Sequence, residues 1–341
     1  MKKFYISSKK DISGIGKYSQ DFYQFILKEK GFIHIDSAEH LSTILTTIAS
    51  EDHIHIELGV FHKKEIEILF TMLKANYRNV AVTLHDAPFI KHPYYEFKNP
   101  GLNRISKFID KYANSFGGPN PFVRKIKAIY VLSKQSIETV KQKYQVEQVY
   151  YLPYIINVSE LEKKEINNKN FVYAGAMNSS IDYSLLLHQQ LMARFPDSRY
   201  YIMTSSTEKK NPFFESLREK YTQNVYYVNC VSEKELHETL NQATFALLFF
   251  KKTDYFPSVR ESVFNNLKKG KILFTNKIRA LMELVENGKN GFFLSGELKS
   301  DVETMTKIIN NQPLLCSIRD DMFNYLRLYH SADEIRKRIK D

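Results

Sequence analysis

The stretch FALLFFKKTDYFPSVRESVFNNLKKGKILFTNKIRALMELVENGKNG, residues Phe245 to Gly291, decides how this chain is read. Ala246–Phe250 is short and wholly apolar, the pattern of a strand buried on both faces. A loop, Lys251–Pro257, follows. Ser258-Val259-Arg260-Glu261 then has capping-box spacing and predicts a helix starting at that serine. Lys268-Lys269-Gly270 predicts its end, with cations in the last turn and glycine just beyond. Lys271–Thr275 reads as the next strand. A helix N-terminus at the carboxyl end of a parallel strand gathers unpaired N–H groups and the positive end of the helix dipole. Lys251, Lys252 and Arg260 bring cations to the same place, and the combination suits a nucleoside diphosphate.

The rest of the chain supplies a setting for that element. Its 341 residues leave room for two domains of ordinary size, and 43% hydrophobic content with 22 Tyr and 24 Phe argues for folded cores. No apolar run approaches the roughly 20 residues of a spanning helix. The opening MKKFYISSKKD lacks an apolar segment of signal-peptide type, and Cys230 and Cys316 form neither a metal-binding spacing nor a disulfide framework. A reducing cytoplasm is the expected location. The net charge of +11 suits an anionic partner, although a solvated basic surface has the same composition.

Residues 2–8 read as a first strand, and Gly14-Ile-Gly16-Lys17 opens a helix directly after it. The segment Asp52–Ile56 alternates His and Ile and ends at Glu57-Leu-Gly59; Asn79–Leu84 ends at His85-Asp86-Ala-Pro. Ligand groups in open α/β sheets sit just beyond the carboxyl ends of strands. Glu57, His85 and Asp86 are therefore the candidate catalytic residues, able to orient a hydroxyl or take its proton. His53 and His55 fall inside the strand and read as packing or surface positions. Between Lys91 and Lys127, lysines and arginines are interleaved with Phe and Tyr, which suits an anionic lipid surface or a lipid-diphosphate ligand; an irregular charged loop is the alternative. A polar run after Pro153 marks a domain boundary. Ser133 and Ser232 are expected to cap helices, the second through Ser232-Glu-Lys-Glu235. The expected organisation is α/β: a Rossmann-like domain over 1–155, a linker over 156–169, a second Rossmann-like domain over 170–317, and a helical segment over 318–341.

The order loop, capped helix, glycine, strand and Glu-Leu-Val-x-Asn-Gly-x-Asn-Gly resembles the donor half of GT-B glycosyltransferases. It is most similar to the large retaining, nucleotide-sugar-dependent family. The resemblance implies two Rossmann-like domains facing across a cleft, and a metal-independent transfer from a UDP- or GDP-linked sugar. No cofactor is implied beyond that substrate, and no Asp-x-Asp metal motif occurs. The acceptor would be a saccharide or a lipid-linked saccharide, as in bacterial surface polysaccharide synthesis, and the site would lie in the cytoplasm or at the inner face of the membrane. Gly14, Gly16 and Lys17 match the family's first loop in position, and Thr-Leu-His85-Asp86 resembles its strand-end motif. Gly175 matches the glycine ending the first strand of the donor domain, and the loop at Asn229, Cys230 and Val231 would hold the base. Ser258, Val259, Arg260 and Glu261 would meet the diphosphate.

Two departures stand out. The family's helix carries glutamates eight positions apart, where this chain has Pro257 and Asn265, with Glu261 between them. The cations that usually follow the Gly175 position are also missing, which places more weight on Lys251, Lys252 and Arg260. A nucleotide-sugar 2-epimerase and a non-catalytic partner subunit share the architecture and remain alternatives. A nucleic-acid binder is disfavoured, because the basic residues are dispersed and no nucleic-acid motif appears.

Overall fold

The computed structural model describes residues 1–9, 14–59, 62–88, 90, 99–102, 104–105, 122–163, 165–175, 180–205, 212–230, 232–250 and 259–339. The chain divides into two compact units, Met1–Ile155 with Ala332–Asp341, and Ile156–Tyr255 with Val259–Ser331. Each is built on a six-stranded sheet in which every described strand pairing is parallel.

The first unit contains β1 (Lys3–Ser7), α1 (Gly14–Phe22, continued by a π turn over Tyr23–Leu27), β2 (Phe32–Asp36), α2 (Leu41–Thr47), β3 (His53–Leu58), α3 (Lys63–Lys74), β4 (Val80–Leu84), β5 (Ala128–Val131), α4 (Ser136–Tyr144) and β6 (Val149–Tyr151). The strand order is β2-β1-β3-β4-β5-β6, so the winding direction reverses between β1 and β3. One face of this sheet is oil: Phe4, Ile6, Ile54, Ile56, Val82, Leu84 and Ile129 join a single buried cluster. Side chains alternate faces along a strand, so the sequence HIHIEL of β3 sends His55 and Glu57 to the other face. Register places Tyr5 opposite His55, and Glu57 opposite Thr83, itself opposite Tyr130. The second face is therefore aromatic and polar, which is uncommon for a buried parallel sheet.

The second unit contains β7 (Phe171–Ala174), α5 (Ile181–Met192), β8 (Tyr200–Ser205), α6 (Pro212–Lys220), β9 (Val225–Cys230), α7 (Glu233–Leu240), β10 (Phe245–Leu248), α8 (Glu261–Lys268), β11 (Ile272–Asn276), β12 (Phe292–Leu294), α9 (Leu298–Ile309) and α10 (Gln312–His330). Its order, β12-β11-β10-β7-β8-β9, is the doubly wound Rossmann arrangement, with its switch point between β7 and β10. The expected division at residue 317 falls inside α10. That helix cannot be broken there, because Leu315, Ile318, Met322, Phe323 and Leu326 form one continuous buried stripe, and the unit ends instead at Ser331. A last short helix, α11 (Ala332–Arg336), belongs to the first unit, where Arg336 pairs with Glu29 at 2.7 Å.

Helix starts show where local chemistry decides and where packing does. Ser232 caps α7 as expected: its hydroxyl accepts from the Glu235 N–H at 3.3 Å and donates to the Glu235 carboxylate at 3.0 Å. The expected cap at Ser258 is a correction. The N-cap of α8 is Arg260, whose backbone is extended, so Glu261 opens the helix instead of standing three residues inside it. Burial of Val263, Phe264 and Leu267 sets the phase of this helix. Likewise α4 begins at Ser136 with Gln135 as N-cap, and the Ser133 carbonyl accepts a turn bond from the Ser136 N–H. The end of α8 follows expectation, with Lys268, Lys269 and then Gly270 at φ +67°. No described helix is long and apolar enough to cross a membrane.

Candidate functional site

In the first unit the switch point brings the start of α1 against the end of β3. Gly59 makes the approach possible, since a Cβ there would stand 2.5 Å from the Ile15 side chain. Gly14 opens α1, Gly16 is buried within it, and Lys17 pairs with Asp21 at 3.6 Å one turn on. Strand β3 runs two residues further than expected. Glu57 thus stands inside the sheet, 1% exposed, and not in the loop beyond it.

His85, the first residue after β4, is 7% exposed, and its Nε2 lies 2.8 Å from Glu57 Oε2. A carboxylate only accepts, so Nε2 carries the proton in this pair, and Nδ1 is the ring nitrogen left to meet a ligand. On the other side His55 Nε2 stands 3.5 Å from Glu57 Oε1 but is engaged with Thr83 Oγ1 at 2.7 Å. Burial alone would raise the Glu57 pKa. The nearness of His55, then the hydrogen bond and charge of His85, outweigh burial and hold the carboxyl at about 2.

Aromatic rings close this cluster. Tyr18 meets the edge of His85 with ring centres 4.9 Å apart, and Tyr5 donates to the Ser19 carbonyl at 3.3 Å. Burial, then the Glu57 charge, push both phenols well up, so they stay neutral. Glu57 Oε1 and the Tyr18 hydroxyl are fully buried and lack a hydrogen-bond partner. Asp86 lies in the turn after His85, its Oδ2 3.4 Å from where a Gly59 Cβ would be.

The structure thus brings the candidates Glu57 and His85 together and adds Tyr18, Thr83 and His55, the last of which reads from sequence as a packing or surface position. The signal for His55 was present: in the alternation His53, His55, Glu57 it shares a face with Glu57 by strand period alone.

In the second unit the switch point lies between β7 and β10. Gly175, directly after β7, has φ +153°, and a Cβ there would stand 3.3 Å from Ser262 Oγ in the first turn of α8. Only glycine lets the end of β7 lie this close to the helix start. Arg260, the N-cap residue of α8, forms no side-chain cap bond to the helix. Val259 is half-buried and Arg260 exposed, ahead of half-buried Glu261. The neighbouring strand ends are fixed: Asn276 accepts from the Phe250 N–H at 2.9 Å and donates to the Phe250 carbonyl at 2.6 Å, and Thr275 donates to the Leu248 carbonyl at 2.6 Å. Gly175, Arg260 and Glu261 are therefore brought together at one switch point. Asn229 and Cys230 end β9 instead of lying in the loop after it, with Cys230 opposite Ser205. Val231, Lys251, Lys252 and Ser258 lie outside the described residues, as does most of the Lys91–Lys127 stretch.

Two doubly wound parallel sheets, each with a switch point, make a GT-B-like fold. No protein-family model matches the chain, and no curated protein matches it by sequence. Solved structures do match. HepE of Anabaena in complex with UDP-glucose aligns at a TM-score of 0.67 and 12% identity, over 99% of this chain and 97% of that one. Sucrose-phosphate synthase from Thermosynechococcus elongatus aligns at 0.70 and 10% identity, over 99% and 97%. TarM of S. aureus aligns at 0.62 and 12% identity over 87% of this chain, but only 56% of the TarM chain is covered, little more than half its length. At these identities the likeness is one of fold, and in fold the chain resembles the GT-B glycosyltransferases.

Proposed function

We propose that this protein is a glycosyltransferase that moves a sugar from a nucleoside-diphosphate donor to a saccharide or lipid-linked acceptor. The observation that carries this reading is the close approach of Gly175 to Ser262 in the first turn of α8, at the switch point of a Rossmann sheet. Main-chain N–H groups and the helix dipole there stabilise a diphosphate, and Arg260 at the N-cap adds a cation. The role is electrostatic: charge that develops on the departing diphosphate meets donors already in place. His85, steadied by Glu57, serves the sugar or acceptor hydroxyl, with Nδ1 as the working nitrogen. A uridine donor is favoured, because HepE, whose fold covers nearly the whole chain, was crystallised with UDP-glucose.

Thermal shifts against UDP, GDP, CMP and their sugars test this reading, since a ligand that binds only the native state raises its stability. A shift with one nucleotide and its sugar supports it; no shift with any at millimolar concentration argues against a donor site. Pro257 and Asn265 stand where the resembling family has glutamates, and this favours a second reading, a non-catalytic partner subunit. Binding without any release of nucleoside diphosphate would select that alternative. A peripheral place at an anionic membrane is part of the proposal. It rests on the basic and aromatic residues between Lys91 and Lys127, and salt-sensitive sedimentation with anionic but not neutral liposomes tests it.

A further inference from the structure

At the amino-terminal edge of the second sheet, opposite the strand ends that carry Gly175 and α8, lies a cavity of about 320 Å³. Three cations line it, Lys269, Lys271 and Arg319, each more than nine-tenths buried. Lys269 follows the carboxyl end of α8 and pairs with Glu162. Lys271 precedes β11 and donates to the Ala243 carbonyl, and Arg319 comes from the middle of α10. The carboxylate in the lining, Glu165, is exposed.

The remaining walls are amides, chiefly Asn167, Asn168 and Asn241. The turn at Gly270 is tightly enclosed, since a Cβ there would stand 2.9 Å from the Glu162 carbonyl and 3.1 Å from Arg319 Cδ. The cationic wall is therefore fixed in shape. Buried cations at one side suit a phosphate, amides that both donate and accept suit hydroxyls, and the volume lies in the range of small-molecule sites.

We propose that this cavity is a second binding site, separate from the α8 cradle, for a phosphorylated monosaccharide or a polyol phosphate of similar size. The site belongs to the second unit alone and does not depend on the transferase reading.

Calorimetric titration of the full chain with glucose 6-phosphate, glucose and inorganic phosphate at near-physiological salt tests it. Saturable one-to-one binding of glucose 6-phosphate is expected, at least tenfold tighter than inorganic phosphate and with glucose undetectable. Lys271→Met should weaken it tenfold or more. Asn241→Asp, which keeps the shape and adds a negative charge on an exposed residue, should weaken it about fivefold and guards against a Lys271 variant that fails to fold. Arg260→Ala should leave it unchanged. Absence of binding to the wild type at millimolar concentration would overturn the proposal. So would binding that is lost in Arg260→Ala but kept in Asn241→Asp, which would place the anion at the donor cradle.

Discussion

Replacing Glu57 by Gln keeps the shape of the side chain and removes its charge, and the structure sets the size of the effect. The carboxyl is held at about 2 in the fold against an ordinary 4.5. At about 1.4 kcal/mol per pH unit this contributes about 3 kcal/mol to the stability of the first unit at neutral pH. The folded value is the depressed one, so the contribution is complete above pH 4.5 and is lost as pH falls toward 2. Other carboxylates titrate alike in both proteins. The difference between wild type and Glu57→Gln should therefore narrow by about 2 kcal/mol between pH 5 and pH 3. The chain has no Trp, and its two units need not unfold together. Hydrogen exchange by mass spectrometry in a urea series, read on peptides covering residues 53–58 and 80–85, isolates the first unit. A difference that stays the same at pH 5 and pH 3 would refute the reasoning and mean that Glu57 is not an ionised partner of the histidines.

Three further expectations follow from single contacts. Arg260→Ala should weaken nucleoside-diphosphate binding by roughly 1.5–3 kcal/mol in calorimetry, the loss of a charge-assisted contact. Gly175→Ala should destabilise the second unit by about 1–3 kcal/mol in denaturant titration, because φ +153° and the Ser262 side chain both oppose a Cβ. Tyr18→Phe should leave the melting temperature unchanged or raised, since the buried hydroxyl it removes has no hydrogen-bond partner; a clear drop would show that the hydroxyl is satisfied in solution.

The alternation of apolar strands and helices made both sheets legible, and strand ends pointed to Glu57 and His85. What escaped was information held between elements. The edge strands β2 and β12 gave no clear signal, β12 being only three residues long and β2 mixing half-buried and exposed positions in FIHID. His55 reads as a packing or surface position because its meaning depends on Thr83, twenty-eight positions away and brought beside it by strand register. Ser232 was a readable cap because its box coincides with the phase of the α7 backbone. Ser258 offers the same spacing, but the buried face of α8 starts that helix at Glu261. Gly175 was found by resemblance, while its physical reason, the approach of Ser262, appears only in three dimensions.

The most direct test of the central claim is turnover: release of nucleoside diphosphate from a panel of UDP-, GDP- and CMP-sugars by the wild type and by His85→Ala, with donor affinity and melting temperature measured on the same samples. The wild type should turn over at least one donor, and a folded His85→Ala protein should keep its donor affinity while turnover falls by about 10²–10⁴. A folded wild type that releases nothing from any donor, or a His85→Ala protein as fast as the wild type, would contradict the claim.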